Sequence, residues 1–338
     1  MKNQAELISY LKENNIKITD KVQVSKFSGG QSNPTYLIED EQVAYVLRRK
    51  PSGDILKSAH AIDREYKVLK ALYGTAVPVA KPILYCADKD VIGSEFYLME
   101  FVDGQIYWDP QLSEISLSAR RDIYQEVIKL MASLHNVNIA EVGLSDYGSH
   151  SGYFERQLNR WIQQYRLSET ETIESIELLI VWLQKNLPED DGQCSLIHGD
   201  FRLDNFIFSK DKPEIIAVLD WELSTIGHPL ADLAYFCMCL HLPQVGPIPG
   251  LQGLDREKLG IPSEQDIIKQ YQALRGIGEI QYWDFCLLFS FFRLSAILQG
   301  VYKRALSGNA SNSSAIEVGQ MAGMLADIAV NLIPNKEQ

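Results

Sequence analysis

The stretch His198-Gly199-Asp200-Phe201-Arg202-Leu203-Asp204-Asn205, followed by Val218-Leu219-Asp220-Trp221-Glu222, constrains this chain more than any other feature. It sets an acid at 200, an amide at 205 and a second acid at 220, the last at the end of an apolar run. Between them, Phe206-Ile207-Phe208 and Ile215-Ile216-Ala217-Val218-Leu219 read as two short strands, with Lys210-Asp211-Lys212-Pro213 turning the chain. Such a hairpin brings Asn205 and Asp220 together beside Asp200, which gives the spacing a geometric reason. The chemistry that needs this kit is phosphoryl transfer from a nucleotide. One carboxylate orients an attacking hydroxyl and takes its proton, while an amide oxygen and another carboxylate hold Mg²⁺ against the phosphates.

At 338 residues the chain is long for one core, so two lobes or domains are expected. Hydrophobic content of 46% and charged content of 22% suit a soluble globular protein. A formal net charge of −12 argues against a general nucleic-acid or anionic-membrane surface. Cys86, Cys194, Cys237, Cys239 and Cys286 are scattered and odd in number, which points to free thiols in a reducing cytosol and a cytoplasmic location. Met1 to Asn15 mixes charges with apolar residues, so no signal peptide is expected. Phe285 to Val301 carries Arg293 in its middle and reads as a buried helix rather than a membrane span.

Along the chain, residues 7–15 read as a short amphipathic helix, and Thr35–Ile38 and Val43–Leu47 as strands around a polar turn. Ala59 to Leu72 reads as a helix with Ile62, Tyr66, Leu69 and Leu72 on one face. Strands follow near Ile83–Tyr85 and Glu95–Phe101. After Asp103-Gly104 the character turns helical, with a helix over 117–135 and an apolar stripe of Phe154, Leu158, Trp161 and Tyr165. The Pro/Gly-rich run Leu242 to Gly253 interrupts this region as a candidate lid, and Ser307 to Ser314 is polar and expected to be mobile.

The paired motifs resemble HGD-x-x-x-x-N and I-x-D-W-E of the aminoglycoside phosphotransferase and choline kinase superfamily. Closer still is the likeness to phosphotransferase domains associated with acyl-CoA dehydrogenase-like proteins, through Phe27-Ser28-Gly29-Gly30-Gln31-Ser32-Asn33, Tyr45-Val46-Leu47-Arg48-Arg49-Lys50-Pro51 and Phe96-Tyr97-Leu98-Met99-Glu100. The resemblance runs from about residue 20 to about 305. It implies an α+β, two-lobed, protein-kinase-like fold: a strand-rich nucleotide-binding lobe over 1–102 and a helical catalytic and substrate lobe over 103–338. It also implies ATP as phosphate donor, Mg²⁺ as cofactor, and a functional link to an acyl-CoA dehydrogenase-like enzyme.

Asp200 is the candidate base or hydroxyl-orienting group, and Asn205 and Asp220 are the candidate Mg²⁺ ligands. Ser28, Gly29 and Gly30 would lay backbone N–H groups over the phosphates, where glycine permits close approach. Protein kinases carry a lysine on the third strand that pairs with a helix glutamate; here Arg48 stands at that position, with Glu65 as its expected partner. Alternation assigns Arg49 and Lys50 to the exposed role. By resemblance, the Glu100 carbonyl and Val102 amide would meet the adenine edge, and Asp232 would brace the loop that His198 buttresses.

Arg156, Arg160 and Arg293 are the cations expected to face the acceptor, which favours an anionic or neutral hydroxyl compound over a polycationic aminoglycoside. The family likeness suggests a hydroxyacyl-CoA. Two alternatives stand beside this. A nucleotide-binding scaffold without turnover is supported by arginine in place of lysine at Arg48, and an aminoglycoside-type antibiotic kinase by the family itself. Nothing resembles the Ala-Pro-Glu that closes a protein-kinase activation loop.

Overall fold

The computed structural model describes residues 4–19, 21–27, 33–51, 61–307 and 315–334. The chain forms two compact units, Met1–Gln105 with Phe206–Leu223, and Ile106–Asn205 with Ser224–Gln338. The first unit opens with α1 (Gln4–Glu13), β1 (Gln23–Lys26), β2 (Thr35–Glu39), β3 (Ala44–Arg49), α2 (Ile62–Leu72), β4 (Pro82–Cys86) and β5 (Phe96–Glu100). These five strands form one sheet in the order β1-β2-β3-β5-β4, and each adjacent pair is antiparallel.

Strand alternation divides the sheet's duties. Leu47 pairs with Leu98, and both are buried with Ile38, Phe96 and the α1 residues Leu7 and Leu11. Arg48 pairs with Tyr97 one position along, and the period of two sends these side chains to the opposite face. On α2 the buried residues are Ile62, Glu65, Val68, Leu69 and Leu72. Val68 takes the place expected for Tyr66, which is half-buried, and Glu65 falls inside the stripe.

In the second unit the chain continues through α3 (Leu117–His135), α4 (Tyr153–Ser168), α5 (Glu174–Lys185) and β6 (Ser195–Ile197). It then returns to the first unit as the hairpin β7 (Phe206–Phe208) and β8 (Ile215–Val218). The remainder of the second unit is β9 (Thr225–Gly227), α6 (Leu230–Leu240), α7 (Glu264–Arg275), α8 (Trp283–Leu306) and α9 (Ala315–Leu332). The β7–β8 hairpin departs from the expected division at residue 102. Gln105 and Phe208 exchange backbone hydrogen bonds of 2.8 Å, and the Val218 N–H donates to the Pro78 carbonyl at 2.9 Å. Backbone pairing outweighs sequence distance here, so 206–223 joins the N-terminal unit.

Among the described residues α8 is the helix long and apolar enough to cross a membrane, yet 78% of its most apolar stretch is buried against the rest of the chain. The 308–314 part of the stretch expected to be mobile lies outside the described residues. Cys86, Cys237 and Cys286 are buried, and all five thiols are free.

Candidate active site

The second unit builds a cluster of its own on the loop leaving β6. The β6–β9 pair ends at Ile197, and the chain reverses through Gly199 at φ +83°, a left-handed conformation that glycine adopts without penalty. Asp232, on α6 and wholly buried, accepts from the His198 N–H at 2.7 Å and the Gly199 N–H at 2.8 Å. Its Oδ2 also lies 3.2 Å from His135 Nε2, while His135 Nδ1 meets the Tyr271 hydroxyl at 2.7 Å. Burial alone would raise the Asp232 carboxyl, but the bond to His135 and the backbone donors hold it below its ordinary range. Burial lowers His135. The pair is therefore a neutral imidazole donating to a carboxylate, with Asp232 bracing the loop as the resemblance implied.

Asp200 follows, its N–H donated to His198 Nδ1 at 3.2 Å. A 3₁₀ turn over Leu203–Asn205 then curls the chain back, so that Asn205 Nδ2 donates to the Asp200 carbonyl at 2.8 Å and to Asp200 Oδ2 at 3.0 Å. Both bonds use the amide nitrogen, which turns the Asn205 amide oxygen away from Asp200. Arg202 pairs closely with Asp204, and its Nε lies 3.7 Å from Asp200 Oδ1. Burial depresses the Arg202 guanidinium, but Asp200, Tyr235 and Asp204 more than reverse that, so it stays charged. Sequence reasoning gave Arg202 no role.

The first unit assembles a second cluster. Arg48 Nε lies 2.8 Å from Glu65 Oε2, and Arg48 Nη2 lies 2.6 Å from Asp220 Oδ1 and 3.5 Å from Glu222 Oε2. Asn33 Nδ2 donates to Glu65 Oε1 at 2.7 Å and the Tyr97 hydroxyl to Oε2 at 3.0 Å, so both oxygens of a carboxylate only 1% exposed are engaged. Burial would lower Arg48, but Glu65, Tyr97, Asp220 and Glu222 drive it well above its ordinary value. Burial raises the Glu65 carboxyl against the opposing pull of Arg48. Asp220 sits at φ +60°, a strained position for a residue with a side chain, and Trp221 anchors the turn through Nε1 to the Val218 carbonyl at 3.1 Å. Asn33 and Tyr97 lay within recognised motifs, but their bonds to Glu65 depend on strand register and were not foreseen.

The remaining candidates fall unevenly. Ser28, Gly29 and Gly30 lie outside the described residues. Glu100 ends β5 opposite Tyr45, and its N–H is spent on the Lys81 carbonyl; Val102 is half-buried beyond it. Arg49 corrects the expectation of an exposed arginine: it is 8% exposed, against 13% for the Arg48 side chain. Arg156 and Arg160 are exposed on α4, with Arg160 over the Trp161 ring. Arg293 is buried, so it is no open cation for an acceptor. The 242–253 loop, expected as a lid, is tied to itself by Gly250 N–H to the Pro243 carbonyl at 2.7 Å and Gln252 N–H to the Leu242 carbonyl at 3.0 Å.

Residues 23–257 match the phosphotransferase enzyme family. The chain belongs to that family. This phosphotransferase is 45% identical over 312 residues to acyl-CoA dehydrogenase family member 10 of Mus musculus, covering 92% of this chain and 29% of that protein. Across the curated relatives the chain spans 29–40% of their length. A crystal structure of a Ralstonia eutropha protein provisionally assigned as an aminoglycoside phosphotransferase is 41% identical, with a TM-score of 0.88 over 97% of each chain. A ternary complex of the aminoglycoside phosphotransferase APH(4)-Ia with ADP and hygromycin B is 13% identical, with a TM-score of 0.63 over 97% of this chain and 99% of that one. The fold is thus the kinase-like aminoglycoside phosphotransferase fold, mixed α+β with an antiparallel five-stranded sheet.

Proposed function

We propose that this phosphotransferase moves the γ-phosphate of ATP to the hydroxyl of a small molecule, with a hydroxyacyl-CoA as the acceptor class. The observation that carries the reading is the Asp200–Asn205 pairing, which leaves a braced carboxylate in hydrogen-bonding company at the end of a fixed loop. Asp200 orients the acceptor oxygen and takes its proton as that oxygen bonds to phosphorus; the bond from phosphorus to the bridging oxygen breaks and ADP leaves. Arg48 offsets charge building on the departing oxygens, held in place by Glu65.

Mg²⁺ suits the donors offered. Asn205 of the second unit would offer an amide oxygen turned from Asp200, and Asp220 of the first a carboxylate of which Oδ1 already faces Arg48. Among the described residues no cluster of three or more His, Cys, Asp or Glu could cage a metal. A hard cation that keeps several waters and leans on phosphate oxygens fits so sparse a set. When bound, it would supply charge neutralisation at the phosphates.

Support for a partly apolar acceptor comes from a cavity of about 290 Å³ in the second unit, walled by Trp108, Phe236, Leu240 and Pro247 with Arg202 and Asp204 among its lining. Its one acid is already paired with Arg202, which suits a polycationic aminoglycoside poorly. ADP in the APH(4)-Ia complex is consistent with a nucleotide donor. The scaffold reading draws on Arg48, which occupies an Asp220 oxygen at 2.6 Å.

The test offers Mg-ATP with hydroxyacyl-CoAs, aminoglycosides and short alcohols, read by mass for one added phosphate. Asp200→Ala should cut turnover by about 10²–10⁴-fold while leaving ATP affinity nearly unchanged. Phosphate added to aminoglycosides alone would reject the acceptor assignment. Tight Mg-ATP binding with no turnover dependent on Asp200 would favour the scaffold.

A further inference from the structure

We propose that Arg293 is a positioning residue for Asp200, an inference that rests on the phosphotransfer reading above. Arg293 lies on α8 and is 6% exposed. Among the described residues no carboxylate lies within ion-pair distance of it. A buried cation without a carboxylate is costly, and the fold compensates it in another way. Nη2 donates to the Gly199 carbonyl at 2.6 Å, and Cζ lies 5.8 Å from the Trp161 ring centre and 5.5 Å from that of Tyr235. Two aromatic faces therefore hold the guanidinium while it reaches one peptide oxygen. The guanidinium lies over the Trp161 ring, so the indole offers Arg293 its face.

That peptide oxygen belongs to the residue immediately before Asp200. On the other side of the same turn, Asp232 holds the His198 and Gly199 N–H groups and His198 holds the Asp200 N–H. The φ +83° turn at Gly199 is thus clamped from opposite sides, by a carboxylate on α6 and a guanidinium on α8. Rotation of the Gly199–Asp200 peptide would swing the Asp200 carboxylate off the acceptor. Arg293 stops that rotation, and as a fixed charge against a carbonyl it does so more firmly than a neutral donor. Its role is to set where the base stands, with no contact to substrate.

The test uses the full chain and slow Mg-ATP hydrolysis, with water standing in for the acceptor. Arg293→Met removes charge and donor while keeping bulk; Arg293→Lys keeps the charge without the flat fork. Circular dichroism confirms folding of each. The Met variant should lose roughly 30- to 100-fold in kcat and the Lys variant about 3- to 10-fold, with KM for ATP within about twofold of wild type. Wild-type kcat in either folded variant, or a loss appearing in KM alone, overturns the assignment. If the Met variant does not fold, the Lys variant decides by the same criterion. Equal hydrolysis by wild type and Asp200→Ala would instead bring down the phosphotransfer reading and this inference with it.

Discussion

Asp232→Asn is the sharpest probe of the loop brace. The wild-type carboxylate accepts two backbone N–H bonds at 2.7 and 2.8 Å and faces His135 Nε2 at 3.2 Å, all at zero exposure. Asparagine keeps the shape but replaces one acceptor oxygen with an NH₂ group, which must then face one of these donors. One buried N–H is stranded at a cost of about 1–3 kcal/mol, and the surviving bonds lose their charge assistance, about 1 kcal/mol more. The sum, about 2–4 kcal/mol, corresponds to a fall in melting temperature of roughly 4–16 °C for a unit of this size. Because folding holds the Asp232 carboxyl below its ordinary value of 3.8, its contribution is present above that pH and drains away as pH falls toward the folded value. Thermal melts at pH 7 and pH 3 should therefore show a gap between wild type and variant that narrows in acid. A loss below about 1 kcal/mol at pH 7 with full turnover would refute the brace.

Burial holds His135 and His228 below the ordinary imidazole value of 6.5, so their stabilising contribution is complete above that pH and lost as pH falls from 6.5 toward the folded values. Melting temperature should drop steadily below pH 6.5; a flat profile from pH 7.5 to about 5 would contradict this. Gly104→Ala would press a Cβ onto the Ile207 side chain and to 2.5 Å from the Phe208 carbonyl, the group that accepts from Gln105. It should cost about 1–3 kcal/mol or more in denaturant titration, and a neutral result would mean that the hairpin yields easily.

Much of the fold was legible because its signals are local. The helix expected over 117–135 is α3, Leu117–His135, and the strands expected about the Glu39–Gln42 turn are β2 and β3. The Arg48–Glu65 pairing was also within reach, through the resemblance to the strand-lysine and helix-glutamate pair of protein kinases, although helical spacing had left Glu65 off the packed face of α2. Arg49 and Arg293 were both expected to be open because charge suggests exposure, and for Arg293 the partner lies far along the chain and leaves no local trace. The guanidinium on Gly199 and the imidazole on Asp232 come from α8 and α3, 94 and 97 positions away.

By itself, the chain's order of residues determined most of the elements and the family, and singled out Asp200, Asn205 and Asp220 as candidates, because periodicity and motif spacing are properties of nearby residues. Only the folded structure decided that 206–223 joins the N-terminal unit and that Asp232 and Arg293 grip one turn from two helices. It also decided that Arg48 divides its charge between Glu65 and Asp220. These are encounters between polar groups far apart in the chain, most of them buried. Each such group had to find a partner once water was excluded, and which partner lay in reach was settled by packing.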